Sequence, residues 1–225
     1  MCAIIGIYAA GNLGSDFIQN LFLESSVRGL HATGLSYFKE GKIETISLPV
    51  PADEFPFPKS MRDQDGSLKL IGHCRYSTSD REYNQPIATG KSSIVHNGVI
   101  TQADPSTWEV DCDTRNDSEL LVRCLESGES PFAKYPESSV AAVWMDNKGE
   151  LLAFRNGKRP LYISEYQGAT IVTSTRDIAR RSGIEGSYLI EPGLFFNLKS
   201  KTVKVTKERL REDLQVCQGL PMVAS

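Results

Sequence analysis

Between Ser139 and Ser174 the sequence leaves room for little except short strands. Val140–Met145, Leu151–Phe154, Leu161–Ser164 and Ile171–Thr173 are apolar runs rich in β-branched residues. They are separated by Asn147-Lys148-Gly149, Asn156-Gly157 and Gln167-Gly168, which are turn sequences. A parallel crossover needs a dozen or more residues, so strands linked this tightly pair antiparallel. The remaining helical segments must then cover sheet faces, which predicts a layered α+β domain.

The rest of the chain fits that frame. Residues 3–10 read as a buried strand stopped by Gly11. Ser15 or Asp16 caps a helix with Phe17, Leu21 and Phe22 on one face and Gly29 past its end. Residues 34–48 form a hairpin turning at Glu40-Gly41. Four prolines between Pro49 and Pro58 impose irregular chain, an insertion rather than a linker. A strand begins at Lys69-Leu70-Ile71, and another, Ser92–Val95, ends in His96-Asn97-Gly98. A helix opens at Asn116, with Glu119 completing a capping-box-like pattern and Leu120, Leu121, Cys124 and Leu125 forming a stripe. A short helix follows near Asp177. Strands at Leu194–Leu198 and Val203–Thr206 precede a charged helix from Lys207 to about Gln215. No repeat or domain boundary interrupts the 225 residues, which are expected to form one domain spanning 1–225, with an insertion near 49–58 and a strand–helix extension over 194–225.

A formal net charge of −3 argues against nucleic acid as a direct partner. Five cysteines, Cys2, Cys74, Cys112, Cys124 and Cys217, include no Cys-x-x-Cys pair and suit neither a disulfide framework nor a zinc ribbon. Reduced thiols in a cytoplasmic protein are the expectation. The first basic residue is Arg28, so no secretory signal is expected, and no apolar stretch approaches a membrane span.

The candidate chemistry begins at Cys2. Aminopeptidases remove Met1 when the next side chain is small, leaving a thiol and a free α-amine on one residue. That amine has a reference pKa of about 7.7–8.0 and can take a proton at physiological pH. A nucleophile activated by its own amine is suited to attack on amides. A cysteine here is also an ordinary buried strand residue. Attack on an amide further needs donors for an oxyanion, which the Asn97 side chain and the Gly98 N–H can supply; Asn-Gly is equally a common hairpin turn. Arg75 sits in an otherwise apolar run and offers the fork that binds a carboxylate. Asp117, in the first turn of the helix, can bind an ammonium or simply complement the helix dipole. Together Arg75 and Asp117 describe a site for an α-amino acid.

Several short motifs occur in order: Met1-Cys2 with Ile5-Gly6-Ile7, Arg28-Gly29 with Thr33-Gly34, Gly72-His73 with Arg75-Tyr76-Ser77-Thr78, and Asn84-Gln85-Pro86. They continue with His96-Asn97-Gly98, Asp117-Ser118-Glu119, Arg159-Pro160-Leu161 and Glu191-Pro192-Gly193. In this the chain resembles the glutaminase domain of class II glutamine amidotransferases, the N-terminal-nucleophile group. The resemblance implies a four-layer αββα sandwich of two mainly antiparallel sheets. It implies hydrolysis of L-glutamine to glutamate and ammonia through a γ-glutamyl thioester on Cys2. By position, Asn97 and Gly98 form the oxyanion hole, Arg75 helped by Thr78 holds the α-carboxylate, Asp117 holds the α-ammonium, and Arg28 and Tyr76 support the site. His31 and Asn156 stand where the family usually has Asp, Ser79-Asp80 replaces its usual pair, and Thr175 departs from a Ser-Glu pair. His31 is expected to be structural. With His73 and His96 inside family motifs, no metal site is expected, and no cofactor.

The expected function is a glutaminase subunit passing ammonia to a separate synthase protein, because no acceptor domain or P-loop is visible. The alternatives are a catalytically silent member serving as a regulatory or scaffolding subunit, and an amidase acting on another γ-glutamyl amide.

Overall fold

The structure is a computed structural model, and it describes residues 2–77 and 83–205. Thr78, Ser79-Asp80, Cys217 and the expected helix at 207–215 lie outside them.

The first sheet is built from β1 (Ala3–Ala9), β2 (Ala32–Lys39), β3 (Lys42–Leu48), β4 (Leu68–Arg75), β9 (Tyr162–Tyr166), β10 (Ala169–Thr173) and β11 (Tyr188–Leu189). Its order is β11-β9-β10-β1-β4-β2-β3, which makes β1 the middle strand. The second sheet contains β5 (Ile87–Ala88), β6 (Ser92–Val99), β7 (Ser139–Asp146), β8 (Leu151–Arg155), β12 (Leu194–Asn197) and β13 (Val203–Val205), in the order β13-β12-β8-β7-β6-β5. The strand pairings are antiparallel.

Three cores define four layers. Helices α1 (Ser15–Ser26) and α4 (Arg176–Arg181) cover the outer face of the first sheet, with Phe22 and Ile178 packed beside Ile5, Ile7 and Leu70. The prolyl segment packs on this side too, through Ala52 and Phe55. Between the sheets lie Ile4, Ile71, Val95, Val143 and Val172. On the far side α2 (Ser118–Glu126) and α3 (Pro131–Lys134) cover Ile94, Val140, Ala142 and Phe154. This is the expected αββα sandwich.

Strand alternation decides which side chains meet between the sheets. In β1 the odd positions Ala3, Ile5, Ile7 and Ala9 join the helix-side core, while Ile4 joins the inner one. Gly6 faces inward as well: a Cβ there would lie 3.0 Å from Val143 Cγ1. Cys2 shares that parity. The same rule turns Ile71, and hence His73 and Arg75, inward from β4, Val95 and Asn97 from β6, and Val172 and Ser174 from the end of β10. Four segments distant in sequence therefore bring polar side chains to one end of the inter-sheet layer.

The structure departs from the sequence reading in several places. Asn156-Gly157 is not a hairpin, since β8 and β9 belong to different sheets. Asn156 ends the β7 ladder with its side chain, accepting from the Val140 N–H at 3.0 Å and donating to the Ser138 carbonyl at 2.7 Å. The chain then crosses to the other sheet. An aspartate could not make that donation. The α1 N-cap is Gly14, not Ser15 or Asp16, and no side chain caps it. Ser92–Val95 does not end before His96; β6 runs through Asn97 and Gly98, which pair with Ala141 and Val140. That removes the hairpin-turn reading of Asn97-Gly98.

Candidate active site

The Cys2 side chain is half-buried, and its thiol makes a long contact, 3.8 Å, to the Tyr76 carbonyl. Its backbone carbonyl is gripped from two directions, by Arg28 Nε at 3.0 Å and by Asn97 Nδ2 at 3.0 Å. The Asn97 amide also donates to Ser174 Oγ at 2.9 Å, while its Oδ1 is buried without a partner among the described residues. Ser174 is fully buried and accepts from the Ile4 N–H at 2.7 Å, tying the end of β10 to the start of β1. The sequence reading missed Ser174; its only signal is its register two residues beyond inward-facing Val172.

The other thiols among the described residues are poor nucleophiles. Burial pushes Cys74 up to about 12, and Cys112 and Cys124 up to about 11, so they stay protonated at neutral pH.

The free edge of β6 explains Gly98. Val140 commits its N–H and C=O to Asn156, on the β8 side. By alternation, Asn97 bonds to β7 and Gly98 turns its N–H to the opposite edge. On that edge Gln85 serves His96, accepting from its N–H at 2.6 Å and donating to its carbonyl at 3.0 Å. Two residues beyond Gly98, Asp117 Oδ2 accepts from the Ile100 N–H at 2.6 Å. The Gly98 N–H lies between them, facing the cavity that holds Cys2. With φ at 144° and a virtual Cβ 1.7 Å from the Ser139 carbonyl oxygen, only glycine fits.

His96 is buried and neutral. Burial lowers its pKa, outweighing the opposing influence of Asp117. Its Nε2 meets the Ser139 carbonyl at 3.1 Å and so carries the proton; its Nδ1 faces Ser118 Oγ at 3.0 Å as acceptor. His73, also enclosed, is driven down to about 3 by burial and has no partner for Nε2 among the described residues. His31 accepts from the Ser77 N–H at 2.9 Å and stacks on Tyr76, with ring centroids 4.8 Å apart. A carboxylate could accept the same N–H, which rationalises histidine at this position.

Arg75 NH1 donates to the Tyr83 carbonyl at 3.0 Å and to Asn84 Oδ1 at 2.7 Å. Asn116 Nδ2 reaches the same Tyr83 carbonyl at 3.1 Å, so the Asn84-Gln85-Pro86 segment is the hub joining β4, β6 and α2. Asn116 is not the expected cap: the N-cap is Asp117, without a side-chain cap bond, and the Asn116 side chain braces the turn before it by accepting from the Ser118 N–H at 3.1 Å. Glu119 does not close the expected capping box. Its carboxylate takes the N–H groups of Asp113 and Thr114 at 2.9 and 2.8 Å, the Thr114 hydroxyl, and Arg123. It thereby pins the loop leading into Asp117.

Burial acts to raise the Glu119 pKa, but the Asp113 N–H, the Thr114 hydroxyl and Arg123 together hold it below its ordinary 4.5. A depressed folded pKa means the stabilisation is complete above that ordinary value and fades as pH falls through the folded value. Glu119→Ala is expected to cost about 3 kcal/mol at pH 7, since three donors and Arg123 lose their acceptor. The gap from wild type in urea denaturation should shrink below about pH 4.

Cys2, Gly98, Arg75, Tyr76 and Asp117 line one cavity of about 580 Å³. Among the expected site residues only Thr78 lies outside the described chain. Among the described residues no three His, Cys, Asp or Glu side chains gather as a metal site, and no helix is long and apolar enough to cross a membrane.

Two antiparallel sheets packed between helices form an αββα sandwich, with Cys2 just before the middle strand of one sheet. The fold is shared with the glutamine phosphoribosylpyrophosphate amidotransferase of B. subtilis solved with ADP and GMP, at a TM-score of 0.70 and 19% identity over 91% of this chain and 49% of that one. Residues 73–180 match the glutamine amidotransferase domain family. Similar curated proteins include the glutamine–fructose-6-phosphate aminotransferases (isomerizing) of Bartonella henselae, 28% identical over 143 residues, and Brucella abortus, 27% over 154 residues. Each match covers 58% of this chain and 23% of the relative, so the chain spans about a quarter of the length of these proteins.

Proposed function

We propose that the chain hydrolyses L-glutamine to glutamate and ammonia. The observation that carries this reading is the single cavity holding a thiol, an edge N–H, a guanidinium and a carboxylate: Cys2, Gly98, Arg75 and Asp117. Arg75 binds the α-carboxylate, with donors beyond NH1 available, and Asp117 binds the α-ammonium through the oxygen not used by Ile100. Both ends held, the γ-carboxamide reaches the Cys2 thiol.

After loss of Met1 the Cys2 amine, through a water, takes the thiol proton. Sulfur attacks the amide carbon, and the oxyanion is met by the Gly98 N–H and the Asn97 amide. The amine returns the proton to the departing nitrogen, ammonia leaves, and water cleaves the thioester to glutamate. In the described arrangement both Asn97 donors are committed, to Cys2 O and Ser174 Oγ. One of them must swing to the oxyanion during turnover. Ammonia passes to an acceptor on a separate synthase protein.

Treatment with the glutamine-analogue electrophile diazo-oxo-norleucine tests this. A covalent adduct on Cys2, with Met1 absent and glutamate released from glutamine, supports the reading; an intact Met1 with neither adduct nor glutamate rejects it in favour of a silent scaffold. Asn97→Ala is expected to lower kcat by about 10²–10³-fold, as loss of one oxyanion donor does. Steady-state kinetics with unchanged kcat would exclude Asn97 from the chemistry.

A further inference from the structure

The edge of β6 away from β7 is served by a different partner at every second residue. The Thr89 N–H donates to the Ser92 carbonyl at 2.8 Å, and Ile87 of β5 pairs with Ile94. The Gln85 side chain takes both backbone groups of His96, and Asp117 takes the Ile100 N–H. Gly98, between His96 and Ile100, faces the cavity.

The register of β5 shows what would otherwise fill that place. Ile87 pairs with Ile94 and Ala88 with Ser93, so each step back along β5 is a step forward along β6. Continued as backbone, the ladder would set Gln85 against His96 and Tyr83 against Gly98. Hydrogen-bonded pairs recur at every second residue of an antiparallel ladder, so the Tyr83 carbonyl would accept from the Gly98 N–H. A donor paired in that way cannot meet an oxyanion.

Three contacts end the ladder first. The Gln85 carbonyl is turned toward the first sheet, where it accepts from Ser47 Oγ at 3.3 Å and lies 2.2 Å from where a Gly34 Cβ would stand. The Gln85 side-chain amide fills the vacated position. Its Oε1 accepts from the His96 N–H at 2.6 Å and its Nε2 donates to the His96 carbonyl at 3.0 Å, as a paired strand residue would. The Tyr83 carbonyl is drawn elsewhere, by Arg75 NH1 at 3.0 Å and Asn116 Nδ2 at 3.1 Å.

The amide has one orientation. Nε2 also donates to Ser118 Oγ at 3.2 Å, and Ser118, buried as Gln85 is, donates on to His96 Nδ1 at 3.0 Å. Turning the amide over would set its oxygen against the His96 carbonyl and leave the Ser118 bond unmade.

We propose that Gln85 is a positioning residue: its side chain stands in for one residue of strand, stops the β5 ladder one pair short of Gly98, and so keeps that N–H vacant for the oxyanion. The catalytic half of this assignment rests on the glutaminase reading; the vacant edge itself does not.

Amide hydrogen exchange read by NMR tests the edge without turnover. In wild type the Gly98 N–H should exchange at least 100-fold faster than those of His96 and Ile100, its neighbours along the same edge. A Gly98 N–H as protected as theirs means that the ladder runs on, and it overturns the proposal whether or not the chain hydrolyses glutamine. In Gln85→Met, similar in length but unable to hold His96, the His96 N–H should lose at least tenfold in protection while the Asn97 N–H, on the β7 side, keeps its own. Unchanged His96 protection overturns the proposal. Glutamine kinetics of the same variant, referred to the folded fraction measured by circular dichroism, should show kcat lowered at least tenfold and KM changed less than threefold, because the oxyanion forms only on the way to the thioester. Unchanged kcat, with or without a raised KM, overturns the positioning role. Wild-type protein that releases no glutamate refutes the glutaminase reading, and the exchange of Gly98 against His96 still decides the edge.

Discussion

Cys2→Ala is expected to release no measurable glutamate, a fall of at least about 10⁴-fold in kcat, while unfolding at nearly the wild-type denaturant concentration. The two halves of this expectation have separate causes. In the proposed mechanism the Cys2 thiol is the group that displaces ammonia from the carboxamide, and burial holds Cys74, Cys124 and the partly buried Cys112 protonated. The nearby Ser174 hydroxyl is engaged, accepting from the Ile4 N–H and the Asn97 amide. Stability, in contrast, depends on the Cys2 backbone. Arg28 and Asn97 both bond its carbonyl, which alanine retains. The side chain is only half-buried, so losing one sulfur atom should change stability by no more than about 1 kcal/mol. A coupled assay for glutamate with a urea melt of the same preparation checks both. Residual turnover within tenfold of wild type would place the nucleophile elsewhere.

Much of this architecture is legible in the sequence because strand signals are local. Alternating apolar residues and turn glycines at Glu40-Gly41 and Gln167-Gly168 place the hairpins, and the observed φ values there are positive as such turns require. The amphipathic stripe of Leu120, Leu121 and Cys124 places α2 against the second sheet. What local signals cannot supply is sheet membership. Asn156-Gly157 has the composition of a hairpin, yet its side-chain bonds to β7 send the chain to the other sheet. The same limit applies at Glu119, whose spacing from Asn116 suits a capping box but whose carboxylate is drawn to the preceding loop by Arg123 and Thr114. Arg75, Asp117 and Asn97 stand out because each is a polar residue where pattern predicts apolar chain or a cap. Ser174 does not, because its place between β1 and Asn97 depends on the register of β10 against β1.

Gly98→Ala is expected to damage fold and chemistry together, which separates it from Cys2→Ala. A Cβ at this position would lie 1.7 Å from the Ser139 carbonyl oxygen and 2.7 Å from His96 Nε2. The first obstacle is backbone of a paired strand and cannot rotate away. The second is a ring held between Ser118 and Ser139. Relief requires the end of β6 to withdraw from β7, where Gly98 and Val99 pair with Val140 and Ser139. The backbone angle adds strain of its own, because φ near 144° is open only to glycine. Strain of about 1–3 kcal/mol and overlap of similar size sum to roughly 2–6 kcal/mol. For a domain of this size that corresponds to a Tm lower by roughly 10 °C. Activity should fall further than stability explains, since in the proposed mechanism any shift of β6 moves the edge N–H away from the carbon that Cys2 attacks and carries Asn97 with it. Assaying Gly98→Ala well below its own Tm isolates that second effect. Near-normal kcat there, with the lowered melting point, would mean that the glycine serves packing alone and that the oxyanion is held by another donor.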